Sequence, residues 1–349
     1  MICTDFIKEL ASIVARYDAG QVCVVIDDAL VCEDVLSRYP VLRLQVSEEQ
    51  KSLEGVTRIW DFLFAQGITR RGLLVCIGGG VLTDLGGFAA ATYKRGIAYV
   101  NIPTTLLAMV DASSGGKTGI NYHGLKNSIG CFAPPLETLI CPQWLKTLPT
   151  AQWLSGFGEM LKTGLIAGER REARGERLWE QLLRYDLDAM PIEPLTPLIK
   201  QCVAFKENIV ATDPKETGER KILNFGHTFG HALEEIEARG ERREARGGMP
   251  HGYAVVYGLI AELYLSVTKL GCPKEPLQQL TQVMLHYYGR PQCKCSDREQ
   301  LIRLMQQDKK NERAAEINCT LIREVGRPVI NQVISPAEAD EALEYLFSL

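Results

Sequence analysis

Apolar positions form short unbroken runs in the first part of the chain and return every three or four residues after about residue 142. Val22 to Ile26 and Leu73 to Ile77 are such runs, rich in β-branched side chains, and Tyr99 to Ile102 ends on Pro103. Runs of this length without polar alternation fit strands buried on both faces, as in a parallel sheet. Helical spacing lies around them at Ile59 to Phe64 and Leu85 to Tyr93, so this part reads as repeated βαβ units. Beyond Pro142 helical spacing covers 151–166, 177–184, 195–210, 224–237, 253–270, 276–287 and 298–307, with one late strand-like stretch at Ile317 to Ile322. The pattern predicts an α/β domain over residues 1–145 and an all-α domain over 146–349, sharing a cleft.

A length of 349 residues agrees with two domains of roughly 100–200 residues each. The 46% hydrophobic content excludes a disordered or collagen-like chain. With 39 Lys+Arg against 43 Asp+Glu the net charge is -4, which provides no basic footprint for nucleic acid. An anionic ligand must therefore meet a focused cluster of cations. Eleven cysteines without a CxxC pair indicate neither a zinc ribbon nor a disulfide framework; they read as small buried hydrophobes in a reducing cytoplasm. Asp5, Lys8 and Glu9 leave no room for a signal-peptide core. The longest apolar stretch, Tyr253 to Val267, is interrupted by Glu262 and is shorter than the roughly 20 residues that span a bilayer. The expectation is a soluble cytoplasmic protein with no membrane or nucleic-acid partner. An octapeptide, GERREARG, occurs at 168–175 and again at 240–247 and reads as a solvated insertion in each of two surface loops.

Three segments carry candidate chemistry. Gly78-Gly79-Gly80-Val81 follows a predicted strand and opens a predicted helix, where backbone N–H groups and the helix dipole suit a phosphate-bearing nucleotide. A second glycine loop, Asp111 to Gly119, contains Gly-Gly-Lys-Thr, but Asp111 stands where a P-loop needs glycine, so a nucleoside triphosphatase is rejected. With Lys117, Lys126 and Asn127 this loop makes a plausible anion cradle. In the third segment, Arg220, just ahead of the helix predicted from 224, and Asn224, His227 and His231 fall within about 60° of one another at helical spacing, opposite Ile222, Phe225, Phe229 and Leu233. His227 and His231 have the spacing of two ligands offered by one helix, and His251 follows Met249-Pro250. Glu159 and Lys162 share a helix face in an apolar segment, so a carboxylate is available; one Glu with two of these three His would suffice for a catalytic zinc.

In this order the segments resemble the 3-dehydroquinate synthases of the sugar-phosphate cyclase superfamily. The resemblance rests on GGGVLTDLGGF, YKRGIAYVNIPTTLLAMVDASSGGKTGIN, LKNSIG, GFGEMLKTGLI, FKENIV, DPKETGERKILNFGHTFGHALE, MPHGYAV and DKK, from about residue 75 to 310. It implies a Rossmann-like NAD-binding domain followed by an α-helical metal- and substrate-binding domain. It also implies zinc, or cobalt, on Glu159, His227 and His251, with His231 near the substrate phosphate instead. NAD would lie on Gly78, Gly79, Gly80, Val81 and Asp84, with Thr104, Thr105, Asp111, Lys117, Lys126, Thr147 and Leu148 around it and Asp27, Glu48 and Lys51 at the adenosine end. Residue 29 is Ala where the family often has Asn. The anionic sugar-phosphate substrate would meet Lys117, Asn127, Asn224 and His231 at its phosphate, with Arg95 reaching in from a second subunit of a homodimer. Lys206 and Arg220 match carboxylate-binding positions, Asp111, Lys162 and Glu216 lie near the ring hydroxyls, and Lys309 or Lys310 belongs to a closing loop. The implied activity is that of a phosphate lyase of the shikimate pathway of aromatic amino acid biosynthesis. Transient oxidation by NAD, β-elimination of phosphate, reduction and intramolecular aldol closure follow one another.

Overall fold

Alternate residues of β1 (Val22–Asp27) enter two different cores. Cys23 and Val25 join one cluster, while Val22, Val24 and Ile26 join the other. Successive side chains of a strand point to opposite faces, so a run with no polar member is buried on both. The neighbouring strands are β2 (Val41–Leu44), β3 (Leu73–Gly78), β4 (Ala98–Pro103) and, after the antiparallel hairpin of β5 (Lys117–Tyr122) and β6 (Leu125–Phe132), the short β7 (Glu137–Thr138). The computed structural model describes residues 1–31, 37–123, 125–168, 177–239, 248–293, 297–307 and 316–349. Its first unit, Met1–Pro149, is built on a parallel sheet in the order β2-β1-β3-β4-β7. Helix α1 (Phe6–Val14) covers one face with Leu10, Ile13 and Val14. Helices α2 (Leu53–Ala65) and α3 (Gly80–Thr92) cover the other, through Val56, Ile59, Leu63, Leu82, Leu85 and Phe88.

The second unit, Thr150–Leu349, is helical. Its described elements are α4 (Thr150–Ile166), α5 (Leu178–Leu183), α6 (Ile192–Thr212), α7 (His227–Arg239), α8 (His251–Leu270), α9 (Glu275–Val283), α10 (Arg298–Gln306) and α11 (Pro336–Ser348). One antiparallel hairpin joins them, β8 (Ile317–Ile322) with β9 (Pro328–Ile334), and β8 coincides with the strand-like stretch of the sequence. Among the described cysteines none is paired: Cys23, Cys76, Cys141, Cys202, Cys272 and Cys319 are buried, and Cys32 and Cys295 lie outside the described residues. Both GERREARG segments, apart from Gly168, also lie outside them.

Helix α8 is the spine of this unit and packs against α4, α7, α11 and β8. It is long and apolar enough to cross a membrane, and 67% of the qualifying window is buried inside the fold. Two glycines let neighbouring backbones approach it. A Cβ on Gly252 would collide with the carbonyl oxygen of Ser155 on α4, and one on Gly258 with that of Gly226 at the foot of α7. The Gly252 N–H also donates to Ser155 Oγ at 3.0 Å. Replacing Gly252 by Ala must push α4 off α8, and forced insertion into a packed core costs about 1–3 kcal/mol. Chemical denaturation of Gly252→Ala is expected to show at least that loss; wild-type stability would contradict the close approach.

Candidate functional site

The close approach of helices α4, α7 and α8 brings together Glu159, His227 and His251, whose ligand atoms all lie within 4.8 Å of one another. Glu159 Oε1 is 3.4 Å from His227 Nε2 and 3.1 Å from His251 Nε2. The opposite ring nitrogens are engaged elsewhere. His227 Nδ1 lies 3.1 Å from the Phe225 carbonyl oxygen, which can only accept, and His251 Nδ1 lies 3.2 Å from Glu234 Oε2. Each Nδ1 therefore carries a hydrogen and each Nε2 turns toward Glu159, the arrangement that metal-binding histidines adopt when an outer acceptor orients them. Two imidazoles and one carboxylate, converging with fixed tautomers, fit a catalytic zinc or a similar divalent ion with open positions.

Glu159 is 1% exposed, and Lys162 Nζ lies 2.5 Å from its Oε2. Burial opposes ionisation of Glu159, but Lys162 and His227 overcome it and hold the carboxyl well below its ordinary range. Burial and the Lys162 charge lower His227 to about 3, so it is neutral. Burial also opposes the charge on His251, but hydrogen bonds to Glu159 and Glu234 outweigh it and lift that imidazole to about 10. A cation entering the group would take the place of the His251 Nε2 proton.

The helix expected over 224–237 starts later than its spacing predicts. Residues Glu219–Asn224 make a 3-10 turn, Gly226 takes a φ of +80°, and α7 starts only at His227. An L side chain would be strained at that φ, and glycine permits the break. Arg220 and Asn224 consequently approach from a loop, while Ile222, Phe225, Phe229 and Leu233 are still buried. Asp213 builds this loop by accepting from the backbone N–H groups of Thr217, Gly218 and Arg220 at 3.0, 2.7 and 3.1 Å. Glu216, at φ +59°, accepts from Asn224 Nδ2 at 2.7 Å. Arg220 is 2% exposed and Lys206, on α6, is buried, so this unit concentrates the cations Lys162, Lys206 and Arg220 in its interior. His231 sits one turn beyond His227, with its ring centroid 5.2 Å from that of His227 and 6.2 Å from that of His251. It stands beside the ligand group and does not belong to it.

In the first unit, α3 starts at Gly80 directly after β3, with Gly79 as a cap that offers no side chain. The first N–H groups of a helix have no acceptor within it, which leaves an anion-binding end at Gly79, Gly80 and Val81. The Thr104 N–H donates to the Gly78 carbonyl oxygen at 3.0 Å, and Thr105 Oγ1 caps the following turn through the Ala108 N–H at 3.2 Å. Lys51 is buried and joins two groups assigned to different ligands: its Nζ lies 2.6 Å from Asp84 Oδ2 and 2.5 Å from Asn127 Oδ1. Asn121 ties Glu48 to the same region, donating to Glu48 Oε1 at 2.8 Å and accepting from the Asn127 N–H at 2.8 Å. Asp27 closes β1 and accepts from the Ala29 N–H at 3.1 Å. Asp111 lies in the turn Ala108–Ala112, Lys117 and Lys126 are exposed on the β5–β6 hairpin, and Thr147 and Leu148 end the turn Pro142–Thr147. Arg95 is exposed at φ +70°, whereas Lys309 and Lys310 fall outside the described residues.

The 3-dehydroquinate synthase N-terminal family matches residues 41–155, and the 3-dehydroquinate synthase C-terminal family matches 156–311. The chain belongs to the 3-dehydroquinate synthase family. It is 40% identical to the 3-dehydroquinate synthase of Parabacteroides distasonis over 99% of its own length and 96% of that protein. Against the enzyme of the same name from Halalkalibacterium halodurans it is 41% identical, over 82% of this chain and 75% of the relative. Among solved structures, the 2-epi-5-epi-valiolone synthase ValA of Streptomyces hygroscopicus, with NAD+ and Zn2+ bound, superposes at a TM-score of 0.82 with 27% identity, covering 100% of this chain and 96% of that one. An iron-containing alcohol dehydrogenase from Thermococcus thioreducens shares the fold alone, at a TM-score of 0.69 and 14% identity, over 100% of this chain and 97% of that one.

Asp213, Glu234 and Glu262 take part in this architecture without having stood out in the sequence as site residues. Some desolvation opposes the charge on Asp213, but the three backbone donors hold its carboxyl below the ordinary value near 3.8. The stabilisation it gives is present above that value and is lost as pH falls through the lowered one. The stability gap between wild type and Asp213→Asn is expected to be constant above about pH 4 and to shrink below it; a gap unchanged down to pH 2 in urea titrations would contradict this.

Proposed function

We propose that the chain converts 3-deoxy-D-arabino-heptulosonate 7-phosphate to 3-dehydroquinate and phosphate, with NAD as a recycled oxidant and zinc or cobalt on Glu159, His227 and His251. The observation that carries the proposal is the tautomer-fixed convergence of those three side chains, beside a lysine and in a member of this family. A metal there would supply a Lewis acid that lowers the pKa of a substrate hydroxyl, and NAD would accept and later return a hydride.

The chain's own groups divide the remaining work by charge and position. The start of α3 at Gly79, Gly80 and Val81 binds the cofactor phosphates, and the cluster of Lys51, Asp84 and Asn127 orders the ground beside it. Lys162 holds one oxygen of Glu159, leaving the other for the metal. Lys206 and Arg220, both buried cations, bind the substrate carboxylate, a group that an ulosonic acid has and a neutral sugar phosphate lacks. Asn224 and His231 hold the phosphate, and Glu216 orients Asn224 through their hydrogen bond. A departing phosphate takes the proton from the neighbouring carbon, so the chain needs no strong base of its own. The protein works in the cytoplasm as a homodimer, with exposed Arg95 acting from a second copy and without nucleic-acid or membrane partners.

Phosphate release by the purified protein with NAD and the ulosonic acid phosphate tests this reading. Turnover is expected without net NADH accumulation, to stop on chelation and to return with zinc, and Glu159→Ala or His227→Ala is expected to remove both bound metal and turnover. Turnover of sedoheptulose 7-phosphate or glucose 6-phosphate alone, or net NADH formation, would overturn it.

A further inference from the structure

Helix α8 carries one carboxylate in the middle of an apolar stretch, and the catalytic reading above leaves that residue without a role. Glu262 is 0% exposed, and its two oxygens accept from the backbone N–H groups of Gly226 at 2.6 Å and Thr228 at 3.1 Å. These donors flank His227. A buried carboxylate is costly unless hydrogen-bonded, and charge-assisted bonds from backbone N–H groups at a helix start are among its best partners. The Phe225 carbonyl accepts from the His227 ring itself, so the turn Phe225 to Thr228 is held on both sides of the imidazole. Gly226 adopts its positive φ here, and Gly258, one turn before Glu262 on α8, lies against its carbonyl oxygen.

We infer that Glu262 is a positioning residue for the metal ligand His227: it fixes the first turn of α7, so that His227 Nε2 is aimed at Glu159 before any ion arrives. Helix α8 then sets both histidines, His251 directly as its first residue and His227 through Glu262, about 16 Å farther along the helix at 1.5 Å per residue. The inference rests on the assignment of Glu159, His227 and His251 as metal ligands, and the experiment separates the two claims. Glu262 reaches His227 through the backbone N–H groups on either side of it, whereas Glu234 touches a ligand imidazole directly.

The test compares Glu262→Gln, which keeps one acceptor, and Glu262→Met, which keeps none, with Ser266→Ala as a control. Ser266 is equally buried on α8, but its hydroxyl donates to the Glu262 carbonyl oxygen and accepts from the Ile322 N–H, away from the ligands. Zinc affinity is measured by chelator competition and ligand geometry by the visible spectrum of the cobalt-loaded protein, alongside the melting temperature of the metal-free form. Loss of an outer-shell contact weakens metal binding about 10–100-fold. Glu262→Gln is expected to fall in that range with altered cobalt bands, Glu262→Met to lose more, and Ser266→Ala to melt lower yet keep wild-type affinity and spectrum. If Glu262→Met does not fold, Glu262→Gln decides. Wild-type affinity and bands in Glu262→Gln would overturn the inference, as would equal weakening in Ser266→Ala, which would make the loss a consequence of general destabilisation. Failure of the wild-type protein to bind either ion would instead sink the metal assignment itself.

Discussion

A carboxylate buried to 1% exposure cannot remain charged unless its surroundings replace water, and Glu159 has that replacement in Lys162, His227 and His251. Much of the second unit follows from this requirement. Lys162 lies one turn along the same helix, and the histidines arrive from two other helices, α7 and α8, with α8 packed closely against both α7 and α4. Glycines at 252 and 258 permit that packing by removing Cβ atoms where backbones meet. The outer acceptors, the Phe225 carbonyl and Glu234, then select which nitrogen of each ring faces inward.

The strands and helices were legible wherever a periodic pattern was set by burial. β1, β3, β4 and β8 lie where the apolar runs predict them, and α4 to α10 follow the helical spacing. The β5–β6 hairpin left no such pattern because β6 is exposed along most of its length and is set by pairing with β5. The break at Gly226 was hidden for a related reason. Ile222, Phe225, Phe229 and Leu233 are buried at helical intervals although the backbone is not one helix, so burial spacing alone could not reveal a left-handed residue among them.

The ligand set shows a similar boundary. Spacing of four residues put His231 forward with His227, yet the structure groups His227 with His251, 24 positions away, on the neighbouring helix. Sequence distance along one helix says which groups share a face, not which partner helix supplies the third ligand. Asp213 and Glu262 act on backbone N–H groups, which every residue but proline offers, so no residue-type pattern identifies their partners. In hindsight Glu262 did leave a signal, as the lone charge within Tyr253 to Val267. The fold itself does not choose the chemistry, since an alcohol dehydrogenase shares it.

The proposed metal site is defined by the groups that would surround the ion. X-ray absorption at the zinc edge of the zinc-loaded protein reads them directly. Two imidazole nitrogens and one carboxylate oxygen at about 2.0–2.2 Å, completed by solvent oxygens, are predicted. A third imidazole, as His231 would provide, or a sulfur neighbour at about 2.3 Å would contradict it.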